Sequence, residues 1–389
     1  MTFTATTKPF TIDKHHYLQL QPLEMPERLL MGAGPSNADP QVVAALNRQP
    51  IGHLDPAYLK LMDEVQNLLR YAWQTRNTLT YPVPGTGSAA MEATLANTVE
   101  PGEVVLVGIK GYFGHRLADM ATRYGADLRT IEKPWGQAFT LPELREAIAT
   151  HRPKILALVH AETSTGVLQP MEGIGDLCRE FDCLLILDTV TSLGSVPIFL
   201  DEWKVDLAYS CSQKGLSCPP GISPFTMSDR TIAKVDQRKT PVANWYLDTS
   251  LLRKYWGGDR VYHHTAPVNM TYGLREALRL LAEEGLENRW ERHAKNAEKL
   301  WDGLEALGLT CYVERELRLP TLTAIKVPDG LDAKAVTRKL IQDYNIEIGV
   351  GLGELAGKIW RIGIMGANSY SDKVDRLLVA LEETLRTFR

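Results

Sequence analysis

The sequence predicts an α/β protein: a large domain on a mainly parallel sheet sandwiched by helices, followed by a smaller C-terminal α+β domain. Three observations predict it. Between residues 104 and 210, short apolar runs alternate with helical stretches, the pattern of repeated βα units. The runs at 155–159 and 184–187 are apolar at every position, as strands covered on both faces are. Beyond Gly285 a second, shorter succession of helices and strands begins.

At 389 residues the chain is long enough for one large core and a smaller one, divided here into an arm (1–30), a large domain (31–285) and a small domain (286–389). The 43 basic and 47 acidic residues are interspersed, with a net charge of −4, which disfavours a nucleic-acid or anionic-membrane surface. Five cysteines, odd in number and without zinc-type spacing, fit a reducing compartment. The sequence shows no membrane-spanning stretch, no signal-peptide core and no Ser-Lys-Leu-like ending, so a soluble, cytoplasmic protein is expected.

Taken in order, residues 1 to about 21 are polar without a clear period and read as an extended arm, suited to lie on a partner subunit. Residues 28–37 form a short apolar run ending in a turn, where Gly32 and Gly34 let backbone groups approach a ligand closely. A short helix is expected at 40–46. A longer one follows at 58–74, with apolar residues at 58, 61, 62, 65, 68, 69, 72 and 73. Tyr81-Pro-Val-Pro84 makes a poor central strand, because proline cannot donate to the ladder. A helix at 88–99 opens after Pro84-Gly-Thr-Gly-Ser88. Strands are then expected at 104–107, 128–131, 155–159, 184–188 and 207–210, with helices at 114–124, 141–150 and 174–181 between them. From Gly273 a three–four apolar rhythm broken at Gly285 predicts two successive helices. The last part reads as strand 323–327, helix 333–343, strand 346–350, a glycine-rich loop, strand 359–364 and helix 371–387.

In parallel sheets ligands sit outside the carboxyl ends of the strands, and Thr163, Asp188 and Lys214 all fall there. Lys214 lies among small residues that leave room for something flat, with Gly215 freeing the backbone and Pro219 and Pro220 stopping any helix. Burial lowers a lysine pKa and frees the neutral amine, which can form an imine with an aldehyde. A lysine in a polar loop is ordinarily a surface residue. Asp188, 26 positions upstream at the end of an apolar run, shifts that balance. Thr86, Gly87 and Ser88 offer N–H groups and hydroxyls to a phosphate at a helix N-terminus. The stretch Gly85-x-Gly87-x-x-Ala90 imitates a dinucleotide fingerprint but lacks the acidic residue that would hold a ribose, which disfavours an NAD-dependent dehydrogenase. These residues together fit pyridoxal 5′-phosphate. Lys214 serves the imine, Asp188 keeps the ring nitrogen protonated, 86–88 take the phosphate, and Phe113 is a candidate ring stacker. Taken alone, Phe113 is as readily a core side chain.

Further motifs are Gly32-Ala-Gly-Pro-Ser-Asn37, His160-Ala-Glu-Thr-Ser-Thr-Gly-Val-Leu-Gln-Pro170, Leu187-Asp-Thr-Val-Thr-Ser192, Ser212-Gln-Lys-Gly215, Val261-Tyr-His-His-Thr265, Leu319-Pro-Thr-Leu-Thr323 and Trp360-Arg-Ile-Gly363. In their number and order they resemble the class V aminotransferases among fold-type I pyridoxal-phosphate enzymes, specifically the alanine–glyoxylate / serine–pyruvate group. The resemblance implies a homodimer, with Lys214 as Schiff base and proton shuttle and Asp188 at the ring nitrogen. It places Val190 in the cofactor site, Thr163 near the ring hydroxyl and Gln213 near the phosphate. Tyr262 and Thr265 reach the phosphate site of the neighbouring subunit. Arg361 grips the substrate carboxylate through its planar fork, helped by backbone near Gly34 and by Thr163. Its partners are small amino acids and 2-oxo acids, handled by a ping-pong mechanism from alanine or serine to glyoxylate or pyruvate. Serine–glyoxylate transfer, or another class V reaction, is the alternative. Ser88 stands where the animal members tend to have histidine, Phe113 where tryptophan is common, and Thr163 where serine is. Ala33 stands where proline is usual, and His53 sits where other members vary; both are near the implied substrate pocket.

His263 and His264, read as neighbours on one strand, point oppositely and lack a third ligand at metal spacing, so no metal is expected. The loop 349–353 lacks the Lys-Ser/Thr ending of a P-loop and reads as shaping the substrate entrance. Cys311, placed in a strand at 310–313, argues against a cysteine desulfurase.

Overall fold

The central sheet has seven strands, in the order Leu79–Pro84, Ile222–Met227, Leu207–Tyr209, Leu184–Asp188, Ile155–Val159, Val104–Ile109 and Asp127–Glu132. The computed structural model describes residues 14–388 apart from Tyr17 and Gln19, so residues 1–13 of the expected arm lie outside the described residues. Six strands point one way, and Ile222–Met227 runs antiparallel to both its neighbours. Each central strand feeds one core with its odd positions and another with its even ones. Ile155, Ala157 and Val159 meet Val105, Val107 and Ile186 on one face, while Leu156 and Leu158 meet Leu106, Leu185 and Leu187 on the other. Apolar side chains at every position are therefore the requirement of a sheet covered twice.

Helices Gly87–Thr98 and Tyr112–Arg123 cover the first face, and Pro56–Trp73, Leu141–His151, Ile174–Glu180 and Val268–Glu284 cover the second. Three helix starts are capped by side chains: Asp39 and Asp55 each accept from the N–H two residues on, with proline at the first helical position, and Thr140 forms a capping box with Glu143. Gly285, at φ +82°, separates Val268–Glu284 from Leu286–Ala306 as expected.

Several expectations need correction. Residues 79–84, read as unsuited to a central strand, form an edge strand, with Pro82 opposite Pro224. An edge tolerates a residue that cannot donate. The antiparallel strand Ile222–Met227 was hidden by Pro224, whose carbonyl still accepts from the Ser210 N–H at 2.9 Å. Helices Asp229–Asp236 and Thr249–Trp256 were not expected either. Residues 346–350 split into Ile346–Glu347, paired parallel with Leu29–Leu30, and Gly349–Val350, paired with Ile359–Gly363. Cys311 makes an isolated bridge to Ile325 and is not in a strand. His263 and His264 are in irregular backbone, and instead of diverging their Nδ1 atoms share a hydrogen bond at 2.9 Å. Burial pushes His264 down to about 4, which leaves a neutral ring available for that bond.

The C-terminal part packs helices Ala333–Tyr344 and Ser371–Arg386 against the three-stranded sheet Leu322–Lys326, Ile359–Gly363 and Gly349–Val350. Leu29 and Met31 are buried in this same core. The chain therefore leaves the C-terminal part at Met31 and runs directly into the turn 32–36 beside the central sheet. Among the described residues, no helix is long and apolar enough to cross a membrane.

Candidate active site

A cavity of about 310 Å³ opens at the carboxyl edge of the central sheet. Asp188, Lys214, Thr163, Thr86, Gly87, Ser88, Phe113, Val190, Gln213, Gly34 and Arg361 all line it, brought together from seven separate stretches of chain.

Asp188 ends its strand, buried, and faces Tyr209 across the parallel ladder. That register lets the Tyr209 hydroxyl donate to Asp188 Oδ2 at 2.7 Å, while the Val190 N–H donates to Oδ1 at 2.8 Å. Burial nevertheless pushes the carboxyl up to about 6, so a cation beside it would be strongly favoured. Tyr209 itself is held well above the usual phenol range, first by burial and then by Asp188.

Lys214 follows the next strand in a turn, 7% exposed. Its Nζ donates to the Ala33 carbonyl, and Ser36 clamps the same turn by donating its N–H to the Gln213 carbonyl at 2.8 Å and its hydroxyl to the Lys214 carbonyl at 2.8 Å. Burial is the main cause that brings the amine down to about 8, and the positive charge of Arg361 acts in the same direction. Gly34, at φ +106°, lies against the lysine side chain; a Cβ there would stand 2.8 Å from Nζ.

The helix Gly87–Thr98 begins at the cavity, and its N-cap Thr86 makes no side-chain capping bond. A Cβ on Gly87 would press on Cys211 at 3.1 Å and on Val190 at 3.4 Å, so only a bare backbone leaves this end of the helix open. Phe113 is placed by the Glu162 carboxylate, which accepts from its N–H at 3.4 Å and from the Ser164 hydroxyl at 2.6 Å. Thr163 shares a hydrogen bond with the Thr191 hydroxyl. Arg361, on strand Ile359–Gly363, donates from Nε to the Val350 carbonyl at 2.9 Å and from Nη1 to the Thr163 carbonyl at 3.1 Å. Its orientation is thus set by neutral acceptors, and burial brings it down to about 10 against the opposing pull of the Glu162 carboxylate.

His53, Tyr262 and Thr265 do not line the cavity of this chain. His53 and Tyr262 lie ring against ring at 5.5 Å, and Tyr262 is 58% exposed. Sequence reasoning missed Tyr209, whose role depends on strand register, and Arg116, which lines the cavity from helix Tyr112–Arg123. It also missed Lys110, buried just beyond its strand with no hydrogen-bond partner for Nζ among the described residues. The i, i+3 spacing of Phe113 and Arg116 was the one available signal.

The donor set is specific. A lowered amine, a buried carboxylate with a raised pKa and an open helix N-terminus share one cavity, and the donor set fits pyridoxal 5′-phosphate. The sheet and these residues define a fold-type I pyridoxal-phosphate enzyme. Comparison with known proteins takes this further. Residues 29–377 match the family model of class V aminotransferases. The alanine–glyoxylate aminotransferase of Callithrix jacchus is 45% identical over 94% of this chain and 90% of its own length. A crystal structure of alanine–glyoxylate aminotransferase from Nostoc sp. superposes with a TM-score of 0.96 at 66% identity, covering 97% of this chain and all of that one. The ureidoglycine–glyoxylate aminotransferase of Bacillus subtilis superposes at 0.93 with 40% identity over 94% and 95% of the two chains. The chain belongs to the class V aminotransferases and is a pyridoxal-phosphate-dependent transaminase.

Proposed function

We propose that this transaminase moves the amino group of a small amino acid, alanine or serine, to glyoxylate or pyruvate by a ping-pong mechanism. The observation that carries this reading is the meeting of Lys214, Asp188 and Arg361 in one cavity. The names of the relatives support the substrates, since glyoxylate is in the name of each of the three described above. A ureidoglycine donor is the second reading, favoured by the Bacillus relative.

Bound pyridoxal phosphate supplies an electron sink for negative charge at the substrate α-carbon. The protein's own groups do the rest. Asp188 presents a buried negative charge, held still by Tyr209 and Val190, that keeps the ring nitrogen protonated. Lys214 Nζ, neutral once its proton is lost near pH 8, takes the α-proton as general base and returns it as general acid. Arg361 turns Nη2, the guanidinium nitrogen engaged in neither bond, and the second N–H of Nη1 to the substrate carboxylate, its plane fixed by Val350 and Thr163. Thr86, Gly87, Ser88 and Gln213 would hold the phosphate, Phe113 and Val190 would lie beside the ring, and Thr163 would serve the ring hydroxyl. Gly34 and His53 shape the substrate side.

On this reading the large domain, 31–285, carries the cofactor, and the small one, 286–389, brings Arg361. The working form is a homodimer in which Tyr262 and Thr265 serve the neighbouring subunit's phosphate. The exposure of Trp245, Val261 and Tyr262 supports a covered face there. All five cysteines are buried and unpaired, which supports a cytoplasmic location.

Visible absorbance of the purified protein tests the reading. A cofactor band that bleaches with L-alanine and returns with glyoxylate is expected, and Lys214→Ala should lose it. A band that ignores alanine but answers serine or ureidoglycine moves the donor. No band after soaking in pyridoxal phosphate sinks the reading.

A further inference from the structure

Three cations line the cavity: Lys214, Arg361 and Arg116. Two have tasks on the reading above, and the third has none. Arg116 is half-buried on helix Tyr112–Arg123 and forms no ion pair among the described residues. Its Nη1 donates to the Ser88 hydroxyl at 3.1 Å, and its guanidinium lies 4.8 Å from the centre of the Phe113 ring. The stretch 86–88 itself offers only neutral donors, two hydroxyls and backbone N–H groups at the start of helix Gly87–Thr98. A phosphate monoester carries nearly two negative charges at neutral pH. Neutral donors and a helix end offset only part of that charge. A guanidinium anchored to the hydroxyl of that same stretch is placed to offset more, and its planar fork suits phosphate oxygens.

We infer that Arg116 is this chain's charge partner for the cofactor phosphate, coupling the Ser88 cradle to the Phe113 face of the ring pocket. The inference rests on the cradle assignment in the proposed function. Stacking on Phe113 holds the guanidinium plane, and the Ser88 hydroxyl fixes its reach. Phosphate binding and ring stacking are then linked through one side chain. A cofactor that lacks the phosphate should be indifferent to Arg116.

The experiment compares apoprotein affinities for pyridoxal phosphate and for pyridoxal, by absorbance titration, in the wild type, Arg116→Met and Arg116→Lys. The wild type should prefer the phosphorylated compound strongly. Arg116→Met should weaken pyridoxal phosphate by about tenfold or more and leave pyridoxal unchanged, because one charge-assisted contact is removed. Arg116→Lys, which keeps charge without the fork, should fall between and guards against a Met variant that fails to fold. Equal weakening of both compounds would mean that Arg116 merely supports Phe113 and Ser88, and would overturn the inference, as would no change in either. A wild type indifferent to the phosphate would overturn the cradle assignment as well, which separates the two failures.

Discussion

Replacing Gly34 with alanine should separate stability from catalysis. The added Cβ would stand 2.6 Å from Lys214 Cε, 2.7 Å from Cδ and 2.8 Å from Nζ. Carbon pairs rest at about 3.5–4.0 Å, so the lysine tip must retreat by about 1 Å. Those atoms are the far end of a flexible side chain, so the clash itself is cheap to relieve. The stability cost is mainly that of holding alanine at φ +106°, about 1–2 kcal/mol. Catalysis is less forgiving, because a 1 Å misplacement of a reacting group costs about 10²-fold in rate. Urea unfolding and steady-state transamination on the same preparation should therefore show a modest loss in the first and about a hundredfold loss in kcat. The rate of cofactor uptake by the apoprotein should fall with kcat, since both depend on where Nζ stands. A variant within about threefold of wild-type kcat would refute the claim that Gly34 is required for lysine placement.

Three further outcomes follow from the same geometry. Asp188→Asn should lower kcat by about 10²–10³-fold by removing the charge beside the ring nitrogen. The apoprotein should lose no stability above pH 6, because a carboxyl raised from 3.8 to about 6 costs the fold about 3 kcal/mol once ionised; a large fall in urea stability would contradict this. Lys110→Met should stabilise the apoprotein below pH 8. Burial brings Lys110 from 10.5 to about 8, so the folded wild type binds fewer protons than the unfolded chain between those values, and its stability rises with pH through that window. The advantage of the variant, about 3 kcal/mol at pH 7, should shrink towards nothing near pH 10.5, and a pH-independent difference in unfolding would contradict it. Arg361→Lys keeps a charge but loses the fork, so KM for the amino acid should rise by about tenfold or more with a smaller change in kcat, and an unchanged KM would remove Arg361 from the carboxylate site.

Much of this was legible along the chain because it is local. Apolar runs such as Ile155–Val159 record two-sided burial directly, and the three–four apolar rhythm broken at Gly285 marks two successive helices. Asp188 and Lys214 stood out because one ends a strand and the other follows one, where a parallel sheet puts its ligands. Where the pattern misled, a nonlocal partner was responsible. Pro224 looks wrong for an inner strand until the Ser210 N–H is seen to donate to its carbonyl, and residues 346–350 look like one strand until Leu29–Leu30 claims the first half.

By itself, then, the sequence determined the alternation of strands and helices, the carboxyl edge at which chemistry happens, and the residue types the cofactor needs there. Only the tertiary structure decided which partners tune them. Strand register set Tyr209 against Asp188, and the return of residues 31–36 from the C-terminal core laid Gly34 on Lys214. Helix packing carried Arg116 to Ser88 across 28 residues, while His53 met Tyr262 outside the cavity. The reason is physical. Periodicity reports whether a side chain is buried, which each residue expresses alone, whereas a pKa or a grip on a ligand depends on distances to groups that only the packed chain brings near.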